Sequence, residues 1–129
     1  MNYYISNIVR NTSFSEVEAR VSNLLKEQGF GVITEIDVKT IFKNKLGVDF
    51  RPYKILGACH PAFAHEALQS DDKIGVMLPC NVCIQQKNET DIEVFAVNPL
   101  VVMKPLGVDG IEDFAMEIYK RLNQVIESL

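Results

Sequence analysis

The chain has 129 residues, a length that fits one domain with its own hydrophobic core. Its net charge of −4 at pH 7 argues against a nucleic-acid-binding protein, because such proteins neutralise phosphates with a basic surface. No run reaches the roughly 18 apolar residues of a membrane helix, and the N-terminus does not resemble a secretory signal. We therefore expect one soluble domain over residues 1–129, located in the cytoplasm, without nucleic-acid or membrane partners.

The N-terminal segment predicts a strand followed by an amphipathic helix. Residues 2–9 are rich in aromatic and β-branched side chains, which is typical of a strand. Ser13 and Glu16 have the spacing of a capping box, in which each side chain satisfies a backbone donor at the start of a helix. Apolar residues then recur every three or four positions until Gly29, which suits the end of that helix.

A second strand and a short helix are predicted next. Residues 30–38 alternate in the manner of a strand with one buried face. Asp37 is a suitable N-cap for a helix that ends at Gly47. Basic residues cluster here and indicate either an anion-binding patch or an ordinary solvated surface. These residues are Lys39, Lys43, Lys45, Arg51 and Lys54.

The middle of the chain predicts a buried strand that leads directly into a helix. Tyr53–Cys59 is a short apolar run, and His60 with Pro61 marks the junction. A residue before proline avoids the helical backbone conformation, and an N-cap residue must also be non-helical. Proline at the first helical position lacks a backbone N–H, but that N–H would have no partner in a helix anyway. The helix is expected over residues 61–69.

The C-terminal half predicts a hairpin and a final helix. Residues 73–87 are interpreted as one long strand that is interrupted at Pro79, because proline cannot donate to a strand ladder. Residues 92–97 return as the hairpin partner. Asp109 begins a second possible capping box, after which an apolar stripe from Ile111 onwards predicts the last helix.

This order of elements indicates the α+β class, with two layers and a mostly antiparallel sheet on which the helices pack. A doubly wound nucleotide-binding fold is disfavoured because no glycine-rich phosphate loop follows any strand. No cofactor is predicted, and no Ser-His-Asp order or pair of catalytic carboxylates stands out.

Two segments, LGACHPAFAHEAL and IGVMLPCNV, closely resemble the DUF302 family, a domain of unknown function. The resemblance runs from GFGVITEIDVK to AVNP and so covers most of the chain. It implies a compact α+β domain that forms homodimers. The residues that match the family pattern are Cys59, Pro61, Pro79, Cys80 and Asn81. The family usually has asparagine in place of His60 and an aliphatic residue in place of Cys83.

Cys59 and Cys80 are the candidates for thiol chemistry. Cys59 precedes a helix N-terminus, where backbone donors and the helix dipole favour a thiolate. If the strands on either side of the Pro61 helix are parallel neighbours, both thiols lie near their C-terminal ends and within reach of one another. The pair is then a redox couple, a sulfur-transfer site or half a metal site, and the alternative is two small buried hydrophobes.

Cys80 and Cys83 have the C-x-x-C spacing of zinc sites and thioredoxin-like motifs. On a regular strand, however, positions i and i+3 face opposite sides of the sheet, so only a bulge would bring these thiols together. Zinc ligands can still be nominated from Cys59, His60, Cys80 and Cys83. His65 is expected at the surface of its helix.

Two functional hypotheses follow from these residues. The first is a homodimeric binding domain for a small or anionic ligand, with a pocket formed by Cys59, His60, Pro61, Cys80 and Asn81. The second is a thiol-dependent redox or sulfur-transfer enzyme in which Cys59 and Cys80 are the catalytic candidates. Zinc binding is a further alternative.

Overall fold

The structure, a computed structural model, describes residues 1–129. The strands are β1 (Tyr4–Val9), β2 (Gly31–Asp37), β3 (Tyr53–Cys59), β4 (Cys80–Gln86) and β5 (Ile92–Val97). The helices are α1 (Phe14–Glu27), α2 (Val38–Leu46), α3 (Pro61–Ser70), α4 (Pro99–Val102) and α5 (Ile111–Glu127). Short 3₁₀ segments occupy Asp72–Met77 and Lys104–Leu106. The predicted α+β class is confirmed.

The strands form one antiparallel sheet in the order β1-β5-β4-β3-β2. Alternate residues of β4 and β5 are buried against α1 and α5, because successive side chains of a strand point to opposite faces. Each fully buried aliphatic side chain contributes about 1.5–3 kcal/mol. The completely buried members of this core include Val21, Leu25, Val82, Ile84, Val94 and Leu122.

The opposite side of the sheet carries the remaining side chains of the central strands and is here called the open face. Its central residues are Tyr53, Ile55, Cys83 and Phe95, which are neighbours in the strand register. At one end of it, Phe50 packs against both Phe42 of α2 and Tyr53 of β3, with ring centroids 5.1 and 6.2 Å apart. The helix layer, α1 and α5, covers only the other face.

The predicted ends of the first two helices are confirmed. The Ser13 hydroxyl accepts a hydrogen bond from the Glu16 backbone N–H, although the Glu16 carboxylate accepts from the Thr12 hydroxyl instead of completing a capping box. The Asp37 carboxylate accepts from the Thr40 backbone N–H at the start of α2. Gly29 has a positive φ of 86°, which glycine adopts with little strain.

Two predicted strands differ from the structure. Residues 73–87 are not one long strand, since a 3₁₀ segment ends at Met77, the Leu78–Pro79 peptide bond is cis, and β4 begins at Cys80. The prediction failed because Ile74, Met77 and Leu78 pack against a second cluster of the core from a 3₁₀ segment and the turn after it, and periodicity alone cannot distinguish such a short apolar run from a strand. Strand β2 lies at a sheet edge and is exposed on both faces, so the predicted buried face is also wrong.

The start of α5 also differs from the prediction. Gly110 is its N-cap, with φ of 78°, and no side chain caps the helix, so Asp109 does not have the expected role. The predicted apolar stripe is confirmed, since Ile111, Ala115, Ile118 and Leu122 are buried. No helix has the combination of length and apolar character that crossing a membrane requires.

Candidate functional site

The junction between β3 and α3 positions His60 at the helix N-cap, as predicted, with Pro61 at the first helical position. The His60 side chain makes no cap hydrogen bond. Its imidazole instead contacts Phe30 and Phe63, with ring centroids 5.5 and 4.3 Å apart. The ring therefore packs among aromatic side chains rather than facing solvent.

The end of α1 lies directly against this imidazole. A Cβ on Gly29 would lie 2.6 Å from His60 Nε2, so only glycine permits this contact without displacement of the ring. Burial lowers the pKa of His60, and the neighbouring Arg121 guanidinium lowers it further. His60 Nδ1 is buried and has no hydrogen-bond partner. Both effects favour the neutral form of the imidazole.

Arg121 on α5 closes this corner of the molecule. Its Nη1 donates to the Gln28 carbonyl oxygen at 3.1 Å, and its guanidinium carbon lies 5.2 Å from the Phe63 ring centroid. Its Nε lies 3.3 Å from Glu117 Oε1, but at an angle that makes no hydrogen bond. The side chain thus fixes the end of α1 and stacks beside α3.

Cys59 and Cys80 border one small cavity, although their strands are not the parallel neighbours considered above. β3 and β4 are antiparallel, and Cys80 pairs with Ala58, the residue next to Cys59. Antiparallel pairing places the end of β3 beside the beginning of β4. Cys80 is only 5% exposed, and burial followed by the nearby Cys59 raises its pKa to about 11. The Cys80 thiol is therefore protonated at neutral pH, which does not favour it as a nucleophile.

Both cysteines border a very small cavity of about 10 Å³. This space has room for about one water-sized sphere, far below the roughly 300–1,000 Å³ of an organic ligand site. Its walls are otherwise apolar apart from His60, and include Phe30, Ala64, Leu78, Pro79, Phe114 and Ile118.

A larger cavity of about 230 Å³ lies on the other side of the Pro79 turn. Cys80 and Asn81 line it, whereas Cys59, His60 and Pro61 do not. It contains no charged side chain, and the segment after β5 forms much of its wall. Its remaining lining residues are Val76, Met77, Leu78, Pro79, Val97, Pro99, Val102 and Met103.

Cys83 lies away from this site, on the open face. It is three residues after the buried Cys80 and pairs with Ile55 and Phe95, so the two thiols face opposite sides of the sheet as the strand period predicts. Burial and the neighbouring Cys83 raise the pKa of Tyr53, while burial raises that of Cys83 itself. The C-x-x-C spacing thus does not form a thiol pair.

Three of the five basic residues near α2 have side-chain partners. Lys43 pairs with Asp49 at 3.0 Å, and Lys54 contacts both Glu18 and Glu35 at 2.8 Å. Arg51 donates to Gln85 Oε1 at 2.8 Å and lies over the Phe50 ring, 4.3 Å from its centroid. The predicted choice between an anion-binding patch and a solvated surface stays a prediction.

No group of three or more His, Cys, Asp or Glu side chains converges as a metal site would require. Of the nominated zinc ligands, Cys59, His60 and Cys80 border one cavity without converging on a point, and Cys83 lies on the other face of the sheet. A closed structural zinc site needs four ligands in a tetrahedron.

Sequence reasoning missed several residues of this region. No local pattern singled out Arg121 or Val102. Phe95 was predicted on a strand, between Val94 and Ala96, which are buried in the core. Because successive strand residues face opposite sides, Phe95 faces away from the core, and this alternation was the available signal.

Comparison with known proteins supports the fold. The family model described as "Domain of unknown function DUF302" matches residues 6–129. A solved structure, the uncharacterised conserved protein DUF302 from Bacillus stearothermophilus, aligns with a TM-score of 0.87 and 27% identity over 97% of this chain and 96% of that chain. No curated protein matches the sequence.

Proposed function

Because the chain belongs to the DUF302 domain family, whose name carries no activity, we propose a function from the geometry: a homodimeric binding module for a small uncharged molecule. Two copies pair through the open face, and each holds a ligand in the 230 Å³ cavity beside Asn81. The observation that carries this proposal is the apolar centre of a sheet face that lies opposite the layer of α1 and α5.

The open face has the composition of an interface. Tyr53, Ile55, Cys83 and Phe95 form an apolar centre in which each is only partly buried within one chain. Ile36 on β2 is 42% exposed and extends this surface towards the sheet edge. Contiguous apolar surface of this kind marks interaction sites in soluble proteins, because its burial removes it from water.

The polar groups on the same face are already paired, which favours a second copy as the partner. Arg51 donates to Gln85, Gln85 donates to Glu93 at 2.7 Å, and the Ser6 hydroxyl donates to Glu93 at 2.7 Å. A two-fold dimer brings the same surface of both copies into contact, so this surface must be complementary to itself in shape and charge. Lys87 Nζ also lies 3.8 Å from Glu93 Oε1, so the network has one carboxylate and two cations, and the patch offers both signs of charge to a second copy.

The ligand cavity borders this interface. Asn81 and Val97, which line the cavity, lie on the open-face side of β4 and β5, out of phase with the buried Val82 and Ala96. A second copy on the open face would therefore lie at the rim of the cavity. The lining lacks charge, and the Asn81 amide offers a donor and an acceptor, so the ligand class is a small uncharged molecule with one polar group.

Light scattering on matched variants tests the dimer. The chain mass is 14.5 kDa, and we expect the unmodified protein at about twice that mass. Ile55→Lys places a charge at the centre of the open face and should give a monomer that keeps its circular dichroism spectrum. Met116→Lys alters an exposed apolar residue of the helix layer and should leave the dimer intact. Equal masses for the two variants would refute the proposed interface.

Nuclear magnetic resonance with uncharged fragments tests the cavity. Binding should shift the amide signals of Asn81, Val97 and Val102, and Val102→Trp should remove those shifts by filling the space. Shifts elsewhere, with none around Asn81, would contradict the proposed site.

A further inference from the structure

A further cavity lies between α3 and α5, with a volume of about 270 Å³. This volume is close to the lower end of the roughly 300–1,000 Å³ that is typical of small-molecule sites. It shares no lining residue with the 230 Å³ cavity of the proposed function, and none of its lining residues belongs to a strand. It is therefore a separate space, and what it binds does not depend on the open-face dimer.

The floor of this cavity is apolar and partly aromatic. Ala67, Ile74 and Ile111 are buried there. The half-buried rings of Phe63 on α3 and Phe114 on α5 also line it, with centroids 6.5 Å apart and planes at 78°. Such a floor favours the hydrocarbon part of a ligand, because burial removes apolar surface from water, and aromatic rings in addition attract cations.

The rim of the cavity is negatively charged. Four carboxylates line it, from Glu66, Asp109, Asp113 and Glu117, while no lysine, arginine or histidine does. Glu117 is offset by Arg121, whose Nε lies 3.3 Å from its Oε1, but the other three carboxylates have no ion pair. Asp113 lies in the first turn of α5 and favours the start of that helix. Glu66 lies in the middle of α3 and has no such role.

We propose that this cavity binds a small organic cation, a primary amine in its ammonium form with an aliphatic chain. The ammonium group donates to carboxylates of the rim, and the aliphatic part covers the rings of Phe63 and Phe114. A metal ion is disfavoured, because no three carboxylates converge around a point. An ammonium group has three donors that point in different directions, so it can pair with carboxylates on separate elements.

Nuclear magnetic resonance titration with hexylammonium at neutral pH tests the proposal. Saturable shifts at millimolar concentration are expected for amides of α3 and α5 around the cavity, together with nuclear Overhauser effects from the hexyl group to the rings of Phe63 and Phe114. Hexan-1-ol and hexanoate have the same hydrocarbon part without the positive charge. Hexan-1-ol should bind more weakly than hexylammonium, and hexanoate more weakly still.

Matched variants test the carboxylates. Glu66→Gln and Asp113→Asn should each weaken hexylammonium binding by about 2–5-fold, and the double variant by about 5–20-fold, as expected of solvent-exposed ion pairs. Glu89→Gln removes the same charge in the exposed turn between β4 and β5 and should leave the affinity within about 1.5-fold of the unmodified protein, since a distant charge is screened by salt.

The Overhauser effects are measured on the unmodified protein, so they test the site even if a variant does not fold. Equal affinity for hexylammonium and hexan-1-ol would overturn the proposal. Equal losses in Glu66→Gln and Glu89→Gln, contacts to neither phenylalanine ring, or the lack of any saturable shift would each do the same.

Discussion

The side chains of Thr34 and Pro79 lie over Gly57 of β3, and this contact holds the turn that leads into Cys80. A Cβ at Gly57 would collide with Thr34 Oγ1 and lie 2.8 Å from Pro79 Cγ. Gly57 is buried and has an ordinary strand backbone, so the obstacle to a side chain is space and not conformation. We predict that Gly57→Ala destabilises the protein.

The magnitude follows from two opposing effects. Overpacking a well-packed site costs about 1–3 kcal/mol, because the Pro79 ring and the Thr34 hydroxyl must both shift to admit a Cβ. Replacing glycine by alanine also reduces the entropy of the unfolded chain, which offsets about 0.4–1 kcal/mol. The net loss is about 1–2 kcal/mol, which lowers Tm by about 3–8 °C in a domain of this size.

Urea unfolding of matched variants measures this effect. Gly31→Ala is the control, because it also lies on a strand but a Cβ there meets no atom within 4 Å, so its stability should equal or exceed that of the unmodified protein. Adding Thr34→Ala to Gly57→Ala should recover part of the loss by removing the Oγ1 contact. The reasoning is refuted if Gly57→Ala is as stable as Gly31→Ala.

Three further predictions concern ionisable groups. Burial raises the pKa of Cys80 from 9.0 to about 11, so the stabilising contribution of the protonated thiol is complete below pH 9 and is lost as the pH rises through 11. The free energy of unfolding measured between these pH values should show this loss. Cys80→Ala should remove the pH dependence. Burial and Arg121 lower the pKa of His60, so the stabilising contribution of neutral His60 is present above pH 6.5 and is lost as the pH falls. The titration midpoint of His60 in nuclear magnetic resonance spectra should lie below 6.5. Arg121→Gln should raise that midpoint. Lys54→Met should lower the free energy of unfolding by about 1–2 kcal/mol in chemical denaturation at low salt, because it leaves Glu18 and Glu35 without their shared cation. Equal stability of Lys54→Met and the unmodified protein would contradict this role.

The regular elements were predictable from the sequence because local chemistry determines them. Ser13 and Asp37 are side-chain caps, Tyr53–Cys59 is an apolar run of strand length, and His60 with Pro61 suits the start of a helix. The segment from Ile74 to Leu78 was assigned wrongly, since an apolar run that packs as an irregular loop has the same composition as a buried strand.

The site was only partly predictable for a different reason. Cys59 and Cys80 were expected within reach of one another only if their strands were parallel neighbours, whereas β3 and β4 are antiparallel. Sheet order is not visible in a single sequence. The contact of Arg121 with the end of α1 joins residues 93 positions apart, and no local pattern encodes such a pairing. The separation of Cys80 from Cys83, in contrast, follows directly from the strand period and was correctly predicted.

We propose that a second copy of the chain covers the open face. Sedimentation equilibrium of the unmodified protein over a range from about 1 to 50 μM tests it most directly, because association affinity is read from the change of mass with concentration. The account predicts a species of about twice the 14.5 kDa chain mass at the upper concentrations. A mass that stays at that of one chain throughout the range would contradict it.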